Sequence, residues 1–178
     1  MTGHPMIDVR FFAPPADLAP CFTTFYRLEV TVPQGDHLED WLQPEWANLR
    51  FFSDNPPAAE LPDGPRIAGA RFQATGPSSC PIHFELGRTR MWGIGLFPLG
   101  WARFIGEDAS DHANTLVDGE ASPLFERFAP LCDMLCSRDH SEEEQFDALT
   151  DFFRRLAGPP ADQQRIQKVH EVMVDPHL

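Results

Sequence analysis

The sequence predicts an α+β fold, with an N-terminal barrel or sandwich of short antiparallel strands followed by a C-terminal helical segment. Three observations predict it. Apolar residues alternate with period two along several runs in the first two thirds of the chain, as half-buried strands require. The 18 prolines and 12 glycines fall largely between those runs, which favours many short elements joined by turns. From about residue 106 the apolar spacing becomes helical and helix-start signals appear.

The elements follow in order. Phe22 to Val32 places Phe22, Tyr26, Leu28, Val30 and Val32 on one face, with Thr23, Arg27, Glu29 and Thr31 mostly on the other. Trp46 to Ser53 sets Ala47, Leu49 and Phe51 against Asn48, Arg50 and Phe52. Four prolines and Asp63-Gly64 make residues 54–65 a loop. Arg66 to Thr75 reads as one strand, closed by Gly76-Pro77. Ile82 to Leu86 is a short strand, and Gly87-Arg88 suits a hairpin turn into Met91 to Phe97. Gly93 and Gly95 inside that strand mark a bulge or a close backbone approach. Pro98-Leu99-Gly100 breaks the run before a last strand, Trp101 to Ile105.

Ser122-Pro123 then opens a helix bearing Leu124, Phe125, Phe128, Leu131, Cys132 and Leu135, which Pro130 must kink or split. Ser141-Glu142-Glu143-Glu144 is a capping box. It heads a helix with the apolar stripe Phe146, Leu149, Phe152, Phe153 and Leu156, which Gly158-Pro159 stops. A further helix from Asp162 carries Ile166, Val169, Val172 and Met173 and ends at Asp175-Pro176. The expected organisation is thus a β-rich domain over 1–106, a helical dimerisation segment over 107–158, and a linker with one more helix over 159–178.

Formal charge is −13. Residues 107–151 hold 13 acids against Arg127 and Arg138, so the excess is concentrated in the helical segment. An acidic surface repels phosphate backbones, which argues against DNA binding by this chain alone. Cys21, Cys80, Cys132 and Cys136 do not form a disulfide framework. No apolar leader opens the chain and no apolar run reaches membrane-spanning length, so a reduced cytoplasmic setting and no membrane partner are expected.

Catalytic patterns are weak. There is no Gly-x-Ser-x-Gly elbow and no Gly-rich phosphate loop. A metal-binding cupin-type barrel needs His-x-His with further ligands; this chain offers His83 and Glu85 on one strand face, too few to hold an ion. Neither metal nor cofactor is expected in a barrel that is cupin-like in shape alone. Cys132, Cys136 and His140 are spaced by four, but both cysteines continue the apolar stripe and read as core. Aromatics on strands, together with an arginine, suit a small-molecule pocket, and its candidate lining is Tyr26, Trp46, Arg50, Phe52, Phe72 and Trp92. Arg50 shares a face with Trp46 and Phe52, and Arg71 and Gln73 share the face opposite Phe72. An arginine in such a pocket can hold a carboxylate.

The middle of the chain resembles the N-terminal domains of AraC-type transcription regulators. The resemblance rests on Gly76-Pro77-Ser78-Ser79, on the run Gly93 to Phe104 with its phrase Gly-Ile-Gly-Leu-Phe-Pro-Leu-Gly-Trp-Ala-Arg-Phe, and on Asn114-Thr115-Leu116-Val117-Asp118-Gly119. The order holds from about Phe11 to Gly158. It implies a sensing domain for a small-molecule effector and helices that form a homodimer. It implies too that DNA is bound only through a following basic domain of two helix-turn-helix units, with the helix from Asp162 as that domain's opening. No recognition helix follows Leu178 in this sequence. The competing readings are a free-standing cupin-like small-molecule-binding protein and an enzyme on the same barrel.

Overall fold

The structure, a computed structural model, describes residues 5–156 and 162–174. The β-strands are β1 (Met6–Phe12), β2 (Phe22–Thr31), β3 (Leu38–Leu42), β4 (Asn48–Asp54), β5 (Ala58–Glu60), β6 (Arg66–Ile67), β7 (Phe72–Thr75), β8 (Ile82–Leu86), β9 (Thr89–Leu96) and β10 (Leu116–Asp118). The helices are α1 (Pro98–Phe104), α2 (Leu131–Leu135), α3 (Glu142–Leu156) and α4 (Gln163–Met173). The class is α+β, and every strand pairing among the described residues is antiparallel.

The strands form two open sheets, not a closed barrel. The larger has the order β1-β2-β9-β4-β7-β10 and the smaller β3-β8-β5-β6. The large sheet carries apolar residues on both faces, because it is covered twice. One face meets the small sheet; the other meets the helices. Successive side chains point to opposite faces, so Leu49 and Phe51 of β4 join the helix-side core while Arg50 and Phe52 face the small sheet. The helix-side core is rich in phenylalanine: Phe22 and Phe104 stack at 5.4 Å, and Phe153 meets Phe22 at 4.7 Å.

Several sequence expectations are corrected here. A bulge between Phe22 and Thr24 shifts the register of β2 against β9. The extra residue turns Phe22 to the helix side with Phe25, away from Tyr26 and Leu28. Gly87-Arg88 is not a hairpin turn: β8 pairs with β3 and β5, β9 with β2 and β4, so this turn carries the chain between sheets. Arg66 to Thr75 splits at Gly69, whose φ of +74° is a left-handed conformation, into β6 of the small sheet and β7 of the large one. Trp101 to Ile105 is helical, within or just after α1. Pro98 at its first turn and Trp101 and Phe104 on one buried side form a single helical repeat. The loop over 54–65 contains β5, and the segment beginning at 107 contains β10, which pairs with β7.

Pro130 does split its helix: a 3-10 turn, Glu126–Phe128, precedes α2. The capping box at Ser141 is reciprocal, Ser141 N–H donating to Glu144 Oε2 at 2.7 Å and Glu144 N–H to Ser141 Oγ at 3.2 Å. Gln145, at 2% exposure, is the joint of the helical layer. Its Oε1 accepts from Trp92 Nε1 at 2.8 Å, and its Nε2 donates to the carbonyls of Met134 at 3.1 Å and Ser137 at 2.9 Å. α4 leans on α1. Ile166 meets the core, and His170 lies 4.5 Å from Phe97 and 6.2 Å from Trp46 by ring centres. Val169, Val172 and Met173 are exposed. The expected stops at Gly158-Pro159 and Asp175-Pro176, and the linker between the last two helices, lie outside the described residues.

Candidate functional site: a cavity between the sheets

Where the two sheets face each other they enclose a cavity of about 150 Å³. The large sheet supplies Tyr26 and Leu28 from β2, Arg50 and Phe52 from β4, Gln73 and Thr75 from β7, Met91 from β9 and Leu116 from β10. The small sheet closes it with Leu42, Ala59, Ile82, Phe84 and Leu86. Most of the wall is apolar, with a few polar groups that converge from adjacent strands. That is the usual character of a small-molecule site.

The polar part is built around one glycine. In the sheet register, Gly93 of β9 lies between Tyr26 of β2 and Arg50 of β4. A Cβ on Gly93 would stand 2.0 Å from Tyr26 Cζ. The missing side chain therefore lets the Tyr26 ring lie flat across β9 and reach its neighbour's neighbour. Arg50 Nε donates to Tyr26 Oη at 3.3 Å. The sequence suggests a bulge or a close backbone approach at the β9 glycines; what lies against Gly93 is instead the Tyr26 side chain.

Arg50 is 5% exposed, and Glu45 offsets its charge through a short contact to Nη2. Burial favours the neutral guanidine, but the neighbouring Tyr26 and Glu45 side chains outweigh it, so the Arg50 pKa is raised and the charge is kept. Glu45 in turn accepts from Asn48 Nδ2 at 3.2 Å. Gln73 is also buried and lines the cavity; its Nε2 donates to the Pro57 carbonyl at 2.8 Å. Thr75 Oγ1 accepts from Asn48 N–H at 3.2 Å. Because Arg50 and Glu45 already balance, a ligand carboxylate would add an uncompensated buried charge. A neutral ligand with a hydrogen-bond acceptor fits the wall better.

Of the six residues expected to line a pocket, Tyr26, Arg50 and Phe52 do so. Phe72 and Trp92 do not; both point to the helix side. Phe72 stacks on Phe51 at 4.4 Å, and Trp92 is held by Gln145. Their strands present an inward face of the opposite parity, Gln73 and Met91. Trp46 precedes β4 and lines a separate open groove with Thr23, Glu45, Asn48 and Ser78. The sequence reading places Gln73 only on the face it shares with Arg71 and passes over Thr75, because polar residues on alternating strand positions look solvent-facing until a second sheet covers them.

The other candidates have structural surroundings. His83 lies against Trp41 and 3.3 Å from Glu60, while Glu85 accepts from Arg66 at 3.2 Å. Among the described residues, no three metal-ligating side chains come together. Cys132 is fully buried in the core and Cys136 partly so, whereas His140 is exposed. The hydrogen bond between the two thiols pushes Cys132 up and Cys136 down, with the Arg71 cation favouring a Cys136 thiolate further. No described helix is long and apolar enough to cross a membrane.

Compared with family models, curated proteins and solved structures, the chain matches none.

Proposed function

We propose that this chain is the ligand-sensing part of an AraC-type transcription regulator, with a small neutral molecule as effector and with DNA contacted only by a following basic domain. The observation that supports it best is the inter-sheet cavity: apolar walls, with Arg50, Tyr26 and Gln73 as its converging polar groups. The cupin-like shape belongs to this reading, as two facing sheets with a pocket between them. The resemblance over residues 76–79, 93–104 and 114–119 supports the regulator half. The acidic surface supports it as well, since such a chain needs another domain to approach nucleic acid. The polar wall contains no carboxylate, histidine or thiol, so binding suits it better than acid–base or nucleophilic chemistry.

The test is a thermal-shift and calorimetric screen with small apolar molecules bearing a ketone, amide or phenol group, run beside matched carboxylates. A neutral hit is expected to raise Tm by several degrees at saturating concentration. Phe84→Trp, which fills the cavity from the small sheet, abolishes that shift. Binding that survives Phe84→Trp, or a screen answered by carboxylates alone, counts against the reading. For the regulator half, the natural reading frame is expected to continue into about 100 basic residues that bind DNA in an effector-dependent way.

A further inference from the structure

The apolar residues of the helical segment are largely turned inward: Phe125, Phe128, Leu131, Leu135, Leu149 and Phe153 are all buried in this chain's own core. The large exposed apolar side chains lie elsewhere: Trp41 on β3, Val169, Val172 and Met173 on α4 with Val174 after it, and the others on β1. Met6 (64% exposed), Ile7 (57%), Val9 (40%) and Phe11 (72%) all belong to β1. β1 is the terminal strand of the large sheet and, among the described residues, pairs only with β2, so its other edge presents unpaired backbone groups along seven residues. Natural edges are usually short, bulged or charged; this one is long for an edge, regular in its pairing to β2, and apolar on one whole face.

We infer that β1 pairs antiparallel with β1 of a second copy about a twofold axis through Val9, joining two six-stranded sheets into one. Symmetry narrows the choice of register. A twofold antiparallel pair must place one residue opposite its own mate. Only Val9 as that residue uses the whole strand, with Met6 opposite Phe12 and Ile7 opposite Phe11. The same register sets Asp8 opposite Arg10 of the second copy, and Arg10 opposite its Asp8. The two charged residues of the strand thus complement themselves, although nothing in the choice of full overlap required it. Within one chain the two already approach to 3.5 Å across a strand face and remain about half exposed. On the opposite face Ile7, Val9 and Phe11 form a continuous apolar ladder with their mates. Arg10 also holds Glu142 at the start of α3, at 3.0 Å, which anchors the strand against the helical layer and keeps the edge in place.

A charge-balanced edge is what a chain of net charge −13 needs in order to meet its own copy. The strand pair is small beside the roughly 1,200 Å² and more of stable complexes, so a micromolar dimer is expected.

Analytical ultracentrifugation between 1 and 500 µM, as an order-of-magnitude range, reads the equilibrium. The wild-type chain is expected to dimerise, and Ile7→Glu and Phe11→Glu each to weaken the dimer at least tenfold. Asp8→Arg is expected to weaken it likewise, since the introduced guanidinium then faces the Arg10 cation of the second copy. All three residues are exposed, so the variants keep the fold, which circular dichroism checks. Register is read by a short bis-maleimide in a Cys80→Ser, Cys136→Ser background. Val9→Cys is expected to cross-link with itself, whereas Asp8→Cys and Arg10→Cys cross-link well only when mixed. A wild-type chain that stays monomeric throughout overturns the inference. So does a dimer untouched by the three substitutions, which would place the contact elsewhere, for example on the exposed end of α4.

Discussion

Single residues set the site. The Tyr26–Arg50 contact exists because position 93 has no side chain, and a methyl group there has nowhere to go. Gly93→Ala is expected to expel the Tyr26 ring and destabilise the fold by about 1–3 kcal/mol, measured by urea unfolding. It should also weaken cavity ligands, which separates it from a change in packing alone. Arg50→Met removes the cation and leaves Glu45 without it. Because Glu45 keeps partial access to solvent, the loss is expected to stay below the roughly 3–5 kcal/mol of a fully buried broken pair. The thiols are a second residue-scale case. Cys136 is both more accessible and the more acidic of its pair, so iodoacetamide should label it well ahead of Cys132 and Cys21, followed by mass spectrometry. Arg71→Ala should slow that labelling, because the guanidinium favours the thiolate.

Elements were legible in the sequence where a local rule decided them. The capping box at Ser141 and the break at Pro130 are local chemistry, and both appear as read. Ser141→Ala is expected to cost about 1 kcal/mol by thermal unfolding. Glu144 is held below its ordinary pKa chiefly by the Ser141 backbone N–H. Its contribution is therefore complete above the unfolded value and is lost as pH falls through the lower folded one. Below that point Ser141→Ala should differ less from wild type. What stayed illegible was decided by distant partners. The Gly87-Arg88 turn has hairpin chemistry, yet its strands enter different sheets. The bulge at Thr23 reversed Phe22, and no periodicity announces one inserted residue. Phe72 and Trp92 were misassigned because parity tells which residues share a face, not which face meets the cavity. Gln145 was missed altogether: a polar residue after a capping box looks solvated, but here it joins α3, α2 and β9. Gln145→Leu strands the Trp92 N–H and removes a donor from the Met134, Leu135 and Ser137 carbonyls, of which Ser137 keeps Arg90, and a loss of about 2–4 kcal/mol is expected by urea unfolding.

At the scale of the molecule, the helical layer and the small sheet cover opposite faces of one central sheet, so the cavity and the helical core lie on either side of it. The acidic segment is tied back to it: Glu120 accepts from Arg71 at 2.8 Å, and Glu142 is engaged by Arg10 and Arg27. These two of the segment's 13 acids are thereby paired with arginines outside it, a small part of its charge. Rim pairs of this kind weaken with salt, so stability should fall modestly between low and high ionic strength. His170 of α4 rests on Phe97 and Trp46, and Trp46 adjoins Glu45, which fixes Arg50 at the cavity wall. Linkage between binding equilibria is reciprocal. A molecule in the cavity that shifted Arg50, and through Glu45 and Trp46 the seat of α4, would bind with an affinity that depends on how α4 is seated.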